Sequence, residues 1–365
     1  MDLQLQEQNN APVKERPAVA QAPSLPLTGI AVVGLGYWGP NWVRVINQMH
    51  HADRVVCCDF SQRRLESIGQ MYPAVELADR IETVLADAEI EAVVIATPVS
   101  THFDLARQCL LAGKSVLVEK PLAMSSRQTA ELVRISRGRT LMVGHTFEYS
   151  APVLKAVELA KSGELGDIFY ISSVRANLGV FQRDINVAWD LATHDISIIL
   201  KVLGQMPTKV TCQGESHFRN NVEDVAMITL QFPQGVIAFI HVSWLDPTKV
   251  RRTTIVGSKK MLVYDDTALQ EKIRIYDKGV TVQPRYDTFG DFQLSYRYGD
   301  ICIPRIEETE PLRVECEHFV QCIRSGARPT SDGLSGHRVV SILEAAELSL
   351  RTGGQAVEPN FAEVE

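Results

Sequence analysis

The sequence predicts a doubly wound parallel α/β domain followed by an α+β domain built on a large, mostly antiparallel sheet. Three observations carry that prediction. An apolar, β-like run enters a set of spaced glycines and leaves it as a helix. Strand-like and helix-like stretches then alternate to about residue 148, the pattern of parallel strands joined by right-handed crossovers. From residue 166 onward, apolar strands recur at hairpin spacing instead. The expected divisions are a tail at 1–26, a first domain at 27–148 and a second at 149–365.

Residues 1–26 are rich in Gln, Ala and Pro and lack periodicity, so a flexible tail is expected there. The next stretch, TGIAVVGLGYWGPNWVRVINQMH, places Gly34, Gly36 and Gly39 in G-x-G-x-x-G spacing between strand and helix. Gly34 suits a tight turn, Gly36 lets backbone approach a pyrophosphate, and Gly39 lets helix and strand pack closely. The helix N-terminus adds unpaired N–H groups that favour an anion, and Pro40 sits where a missing N–H costs nothing. A second strand, Arg54–Cys58, ends in Asp59, twenty residues beyond Gly39. That is where an acidic residue grips the ribose of a dinucleotide in a Rossmann fold. Asp59 argues for NAD, because its charge would repel the 2′-phosphate of NADP; Arg63 or Arg64 would reverse the preference if the loop turned toward that phosphate.

The alternation continues through EAVVIATP (91–98), THFDLARQCLLAG, SVLVEKPLAM (115–124), SSRQTAELVRISRG and RTLMVGHTF. Ligands in such sheets lie beyond the carboxyl ends of the strands. Three strands end there on special residues: Thr97-Pro98, Glu119-Lys120-Pro121 and Gly144-His145. In SVLVEKPLAM a buried strand ends on two opposite charges that point to opposite faces, and Pro121 stops the pairing. Lys120 is thereby delivered to the ligand edge, where it can reach a substrate; the alternative is a lysine that snorkels to solvent.

In the second domain a helix at about 152–162 precedes strands read at 166–179, 210–218, 222–232, 235–244, 251–258, 260–266 and 271–277, with a turn at PQG. The strands at 222–232 and 235–244 are apolar on both faces, so one face is expected on helices and the other in a subunit interface, giving a homo-oligomer, dimer or tetramer. The helices in PLRVECEHFVQCIRSG and LSGHRVVSILEAAELSLRTG are expected to return to the first domain. Within AWDLATHDISIILKVLG, Asp190 and His194 are spaced i, i+4 and share a helix face. A carboxylate there can orient an imidazole as an acid/base pair; the alternative is a capping Asp beside a half-buried His. No second His stands at ligand spacing, so no metal is expected.

The composition agrees with an ordinary soluble globular protein: 365 residues, 45% hydrophobic, 22% charged, net charge −7. The acidic balance disfavours a nucleic-acid partner, and no apolar run reaches a membrane span. The seven cysteines, odd in number and without metal-like pairing, suit a reducing compartment. Because the tail lacks the apolar segment of a secretory signal, the expected location is cytoplasmic.

With GLGYWG, Asp59, TPVSTH, VEKPLA and WDLATHD in that order, the chain resembles the Gfo/Idh/MocA oxidoreductases over nearly everything after the tail. The resemblance implies an NAD-dependent dehydrogenase with Lys120, Asp190 and His194 around the carbon that exchanges hydride. It implies that Thr97, Pro98, His102 and Glu119 line the cofactor with the glycines, Tyr37, Trp38, Asp59 and Lys120. The stretches GHTFEYSAPV and VRANLGVFQRDINVAWDLATHD look most similar to the branch that oxidises C3 of nucleotide-linked N-acetyl sugars, such as the UDP-N-acetylglucosamine 3-dehydrogenases. Ser150-Ala151 before Pro152, and Thr193 where proline is usual, depart from that branch. The implied substrate side comprises Lys120, His145, Tyr149, Arg175, Asn177, Gln182, Asn186 and His194, the polar ones offering donors to sugar hydroxyls or a diphosphate. An inositol or free-sugar dehydrogenase is the alternative substrate reading. An NAD(P)-binding regulator without turnover is the alternative from another class.

Overall fold

The computed structural model describes residues 27–361 apart from 51, 183, 283–293 and 308, and residue 364 as well. The expected tail at 1–26 lies outside the described residues. Two sheets organise the described residues.

The first sheet has six parallel strands in the order β3-β2-β1-β4-β5-β6. They are β1 Leu27–Val33, β2 Ala52–Cys58, β3 Glu76–Ala78, β4 Ile90–Ile95, β5 Ser115–Glu119 and β6 Leu141–Gly144. The crossover helices are α1 Gly39–Met49, α2 Gln62–Met71, α3 Ile81–Ala86, α4 His102–Leu111 and α5 Ser126–Ile135. The central strands read as unbroken apolar runs because helices cover both faces. Trp42, Val43, Ile46, Leu65 and Ile68 fill one side, and Val84, Ala106, Cys109 and Leu132 the other. The strand order reverses between β1 and β4, which opens a crevice at the carboxyl edge.

The second sheet has eight strands in the order β14-β13-β12-β11-β7-β10-β9-β8. After α6 Ala151–Lys161 come β7 Ile168–Ala176, α7 Thr193–Leu203, β8 Lys209–Glu215, β9 Val225–Gln231 and β10 Ile237–Ser243. Then follow β11 Val250–Gly257, β12 Met261–Asp265, β13 Ile273–Val282 and β14 Leu294–Cys302, before α8 Pro311–Ser325 and α9 Gly333–Arg351. The sheet is antiparallel except where β7 pairs with β10 in parallel. The strand expected at 222–232 starts only at Val225, and β14 has no counterpart in the sequence reading.

Strand parity gives the second sheet one buried face. Ala226, Ile228, Leu230, Ala238, Ile240 and Val242 point into a core shared with α6, α7 and α9. The opposite face leaves Tyr170, Met227 and Phe239 exposed. Of the last two helices, α8 packs with α1, and α9 touches both β6 and β8. Among the described residues no helix is long and apolar enough to cross a membrane.

Candidate active site

The glycine loop is built as its spacing requires. Gly34 has φ +93°, and a Cβ there would fall 2.6 Å from the Thr97 methyl carbon. A Cβ on Gly39 would lie 2.0 Å from the carbonyl oxygen of Gly34, so helix and turn touch backbone to backbone. Gly36 has nothing within 4 Å of the Cβ position, leaving bare backbone open to a ligand. That cradle, at the start of α1 and beside the crevice, fits a dinucleotide pyrophosphate. Tyr37 and Trp38 stand exposed beside it, ring edge to ring face at 5.9 Å.

Asp59 ends β2 as expected, but its carboxylate is more occupied than a simple ribose clamp. Oδ2 accepts from the Leu35 N–H at 2.7 Å, and Oδ1 accepts from the Ser61 N–H at 2.8 Å. Arg64 Nη1 lies 3.3 Å from Oδ2. Asp59 therefore fixes the glycine loop.

At the edge formed by β4 and β5, His102 is buried, with Nδ1 2.8 Å from the Pro121 carbonyl and Nε2 2.9 Å from that of Thr97. It is a strut between two loops, with both ring nitrogens used on backbone carbonyls. Glu119 is buried too, and accepts from Trp42 Nε1 at 2.7 Å; burial pushes its carboxyl up. Thr97 receives a hydrogen bond from Thr101 Oγ1 at 2.7 Å, and Pro98 opens the short turn before α4.

Lys120 does project past the strand end. Its Nζ donates to the Asp190 main-chain oxygen at 2.7 Å and to Asp190 Oδ1 at 3.1 Å. The other carboxylate oxygen accepts from Trp244 Nε1 at 3.1 Å. Asp190 thus orients Lys120, and makes no hydrogen bond to His194. Ala188–Ala192 form a π-helical turn before α7, so the α-helical spacing assumed for the pair does not hold across it.

His194 Nδ1 is buried without a hydrogen-bond partner, and the ring packs on Phe147 with centroids 4.8 Å apart. Burial, helped by Lys120, Arg175, His145 and Arg251, holds its imidazole well below the usual histidine range. His145, at the end of β6, is 1% exposed with neither ring nitrogen partnered. Burial, with the charges of Lys120 and Lys201, lowers it to about 3.

Three residues expected on the substrate side are committed elsewhere. Arg175 is buried and paired with Asp195, Nε to Oδ2 at 2.7 Å. Asn186 donates to Glu223 and Glu347 and accepts from the Trp189 N–H, so it caps the turn before α7. The Tyr149 hydroxyl contacts Ser331 Oγ at 2.8 Å inside the core of the first sheet. Asn177 and Gln182 remain half-buried on the loop after β7, which packs on Trp244. Phe147, Asp195, Trp244 and Arg251 were not singled out by the sequence. Parity offered one signal: Ile171, Ser173 and Arg175 share the buried face of β7, so the polar pair needed partners.

Comparison with known proteins matches residues 28–147 to the model described as oxidoreductase family, NAD-binding Rossmann fold, of GFO/IDH/MocA type. Residues 153–263 match the GFO/IDH/MocA C-terminal domain. A UDP-N-acetylglucosamine 3-dehydrogenase of Acidithiobacillus ferrooxidans is 26% identical over 74% of this chain and 80% of its own. The scyllo-inositol 2-dehydrogenase (NAD(+)) of Bacillus subtilis is 25% identical over 88% of this chain and 94% of its own. Among solved structures, GenD2 from gentamicin A biosynthesis in complex with NAD shares the fold, with TM-score 0.78 and 23% identity over 94% of this chain and 99% of that one.

Proposed function

The chain belongs to the Gfo/Idh/MocA oxidoreductase family, and on that premise we propose that it is an NAD-dependent dehydrogenase of a secondary hydroxyl on a nucleotide-linked sugar, with UDP-N-acetylglucosamine oxidised at C3 as the leading candidate. The observation that carries the chemistry is the bond from Lys120, which follows β5 of the first sheet, to Asp190, in the turn that leads into α7 and His194.

When bound, the nicotinamide supplies the hydride acceptor. The chain does the rest. His194 accepts the hydroxyl proton, and its depressed basicity keeps it in the neutral form that can do so. Lys120 spends two donors on Asp190 and has a third for the reacting oxygen as negative charge grows there. Asp190, braced by Trp244, holds the ammonium in place. Asp59 and the bare backbone at Gly36 hold the dinucleotide, and the Asp59 charge favours NAD over NADP.

The nucleotide-linked reading rests on the Acidithiobacillus relative, and Asn177 and Gln182 are the donors left for the sugar. The inositol relative matches a larger share of the chain at nearly the same identity, which favours a polyol as the second reading. Purified protein incubated with NAD+ and UDP-N-acetylglucosamine should develop the reduced-nicotinamide absorbance and yield a keto sugar two hydrogens lighter by mass spectrometry. Turnover of inositols with no thermal stabilisation by UDP would move the assignment to a polyol.

A further inference from the structure

His194 lacks an orienting carboxylate, since Asp190 serves Lys120 and Trp244. What its ring does touch is Phe147, tilted by 58° at 4.8 Å. Phe147 in turn lies against two guanidiniums, Arg175 Cζ 4.5 Å and Arg251 Cζ 5.7 Å from its ring centre. Arg175 cannot wander. It is 4% exposed, and Asp195 grips it twice, Nε to Oδ2 at 2.7 Å and Nη2 to Oδ1 at 3.3 Å. Ser173 Oγ donates to the same Oδ1 at 2.6 Å and contacts Thr253 Oγ1 at 3.1 Å. A pair so deeply buried is weak as a source of stability, because desolvation offsets much of its attraction. It does fix geometry: Asp195 is the residue after His194, and Arg175 is the penultimate residue of β7.

Building on the reading of His194 as proton acceptor, we propose that Arg175, locked by Asp195, is a positioning residue that sets the His194 imidazole through Phe147. The Arg175–Asp195 pair bolts the first turn of α7 to β7. The guanidinium on the aromatic face stops Phe147 from turning away, and Phe147 in turn walls His194. The arrangement also sets the local charge. Lys120, Arg175, Arg251 and His145 act on His194 as cations or potential cations, whereas the neighbouring anions Asp190 and Asp195 are each engaged by a cation. The balance, added to burial, opposes a proton on His194.

The test is a histidine titration of the full chain, labelled with 15N-histidine and followed by NMR with and without NAD+, with the His194 signal assigned from His194→Gln. Arg175→Met removes the charge at similar length. Phe147→Leu removes the wall, admits water to Nδ1 and leaves the ion pair intact; it decides the matter if Arg175→Met, with Asp195 buried and unpaired, does not fold. Each variant should raise the proton affinity of His194 about tenfold or more, and Arg175→Lys should fall between it and wild type. His145 should stay put. An unchanged His194 titration in the folded variants overturns the proposal, and so does a shift in His145 as large as that in His194, which would signal general loosening. The readout needs no sugar, so a wrong substrate assignment would show separately, as absent turnover in the wild type.

Discussion

Lys120 Nζ lies 2.7 Å from the main-chain oxygen of Asp190 and 3.1 Å from its Oδ1, so the end of a strand in the first sheet is tied to the turn that precedes α7 in the second. The bond crosses from the sheet that holds the cofactor cradle to the layer that carries His194. It makes the placement of the ammonium depend on both halves of the molecule.

Lys120→Ala should therefore abolish most turnover and leave NAD affinity nearly intact. A preorganised charge at the reacting oxygen is worth on the order of a hundredfold or more in rate. Lys120→Arg should rescue poorly, because a guanidinium is bulkier and does not give up a proton. Asp190→Ala should lose rate by mislaying the lysine, and the double variant should lose much less than the sum of the two. Steady-state kinetics with NAD binding measured in parallel decides this; near-normal turnover in Lys120→Ala, or a loss chiefly of NAD binding, removes Lys120 from the chemistry.

Asp59 is the second lever. Its carboxylate takes the Leu35 and Ser61 N–H groups, so Asp59→Ala should cost roughly 1–3 kcal/mol of stability as two backbone donors lose their acceptor. It should also weaken NAD and narrow its advantage over NADP, because the repelling charge goes and Arg64 is released toward a 2′-phosphate. Fluorescence titrations with both nucleotides give the answer. A wild type that already prefers NADP severalfold would show that the arginine dominates.

The parts of the fold legible in the sequence were those set by local sterics and parity. The glycine spacing was readable because a Cβ on Gly39 would strike Gly34 within the same turn. Strand ends such as Glu119-Lys120 were readable because apolar runs stop where the sheet does. What was hidden depends on distant partners. The parallel pairing of β7 with β10 and the long-range hairpin of β13 with β14 leave no local mark. The π-helical turn at Ala188–Ala192 misled the Asp190–His194 reading, because side-chain spacing presumes an α-helix. Arg175 reads in the sequence as a donor to the substrate, because its distant partner Asp195 leaves no local mark.

The open face of the second sheet should be covered by another copy of the chain. Tyr170 is 40%, Met227 55% and Phe239 45% exposed on three adjacent strands, a contiguous apolar patch rare on a monomer. Light scattering should return a dimer or larger, and Phe239→Glu should lower that mass while preserving the fold by circular dichroism. A monomer mass at micromolar wild-type protein would refute the interface.

The last prediction concerns acid stability and begins at His145. Its ring is 1% exposed, neither nitrogen has a partner, and burial with the Lys120 and Lys201 charges lowers it to about 3. In the unfolded chain the same group titrates near 6.5. Between those values the unfolded state binds the proton and the folded state does not, so stability rises with pH across this window. Lowering the pH from about 6.5 toward 3 should thus remove up to about 1.4 kcal/mol per pH unit on account of this residue. His194 is shifted in the same direction and adds to the slope. His145→Gln, which keeps a polar side chain and does not titrate, should flatten the acid limb of a urea-melt series, leaving the plateau above pH 7 parallel to that of the wild type. If the variant and the wild type lose stability with the same slope below pH 6, the ring is not held neutral in the folded chain.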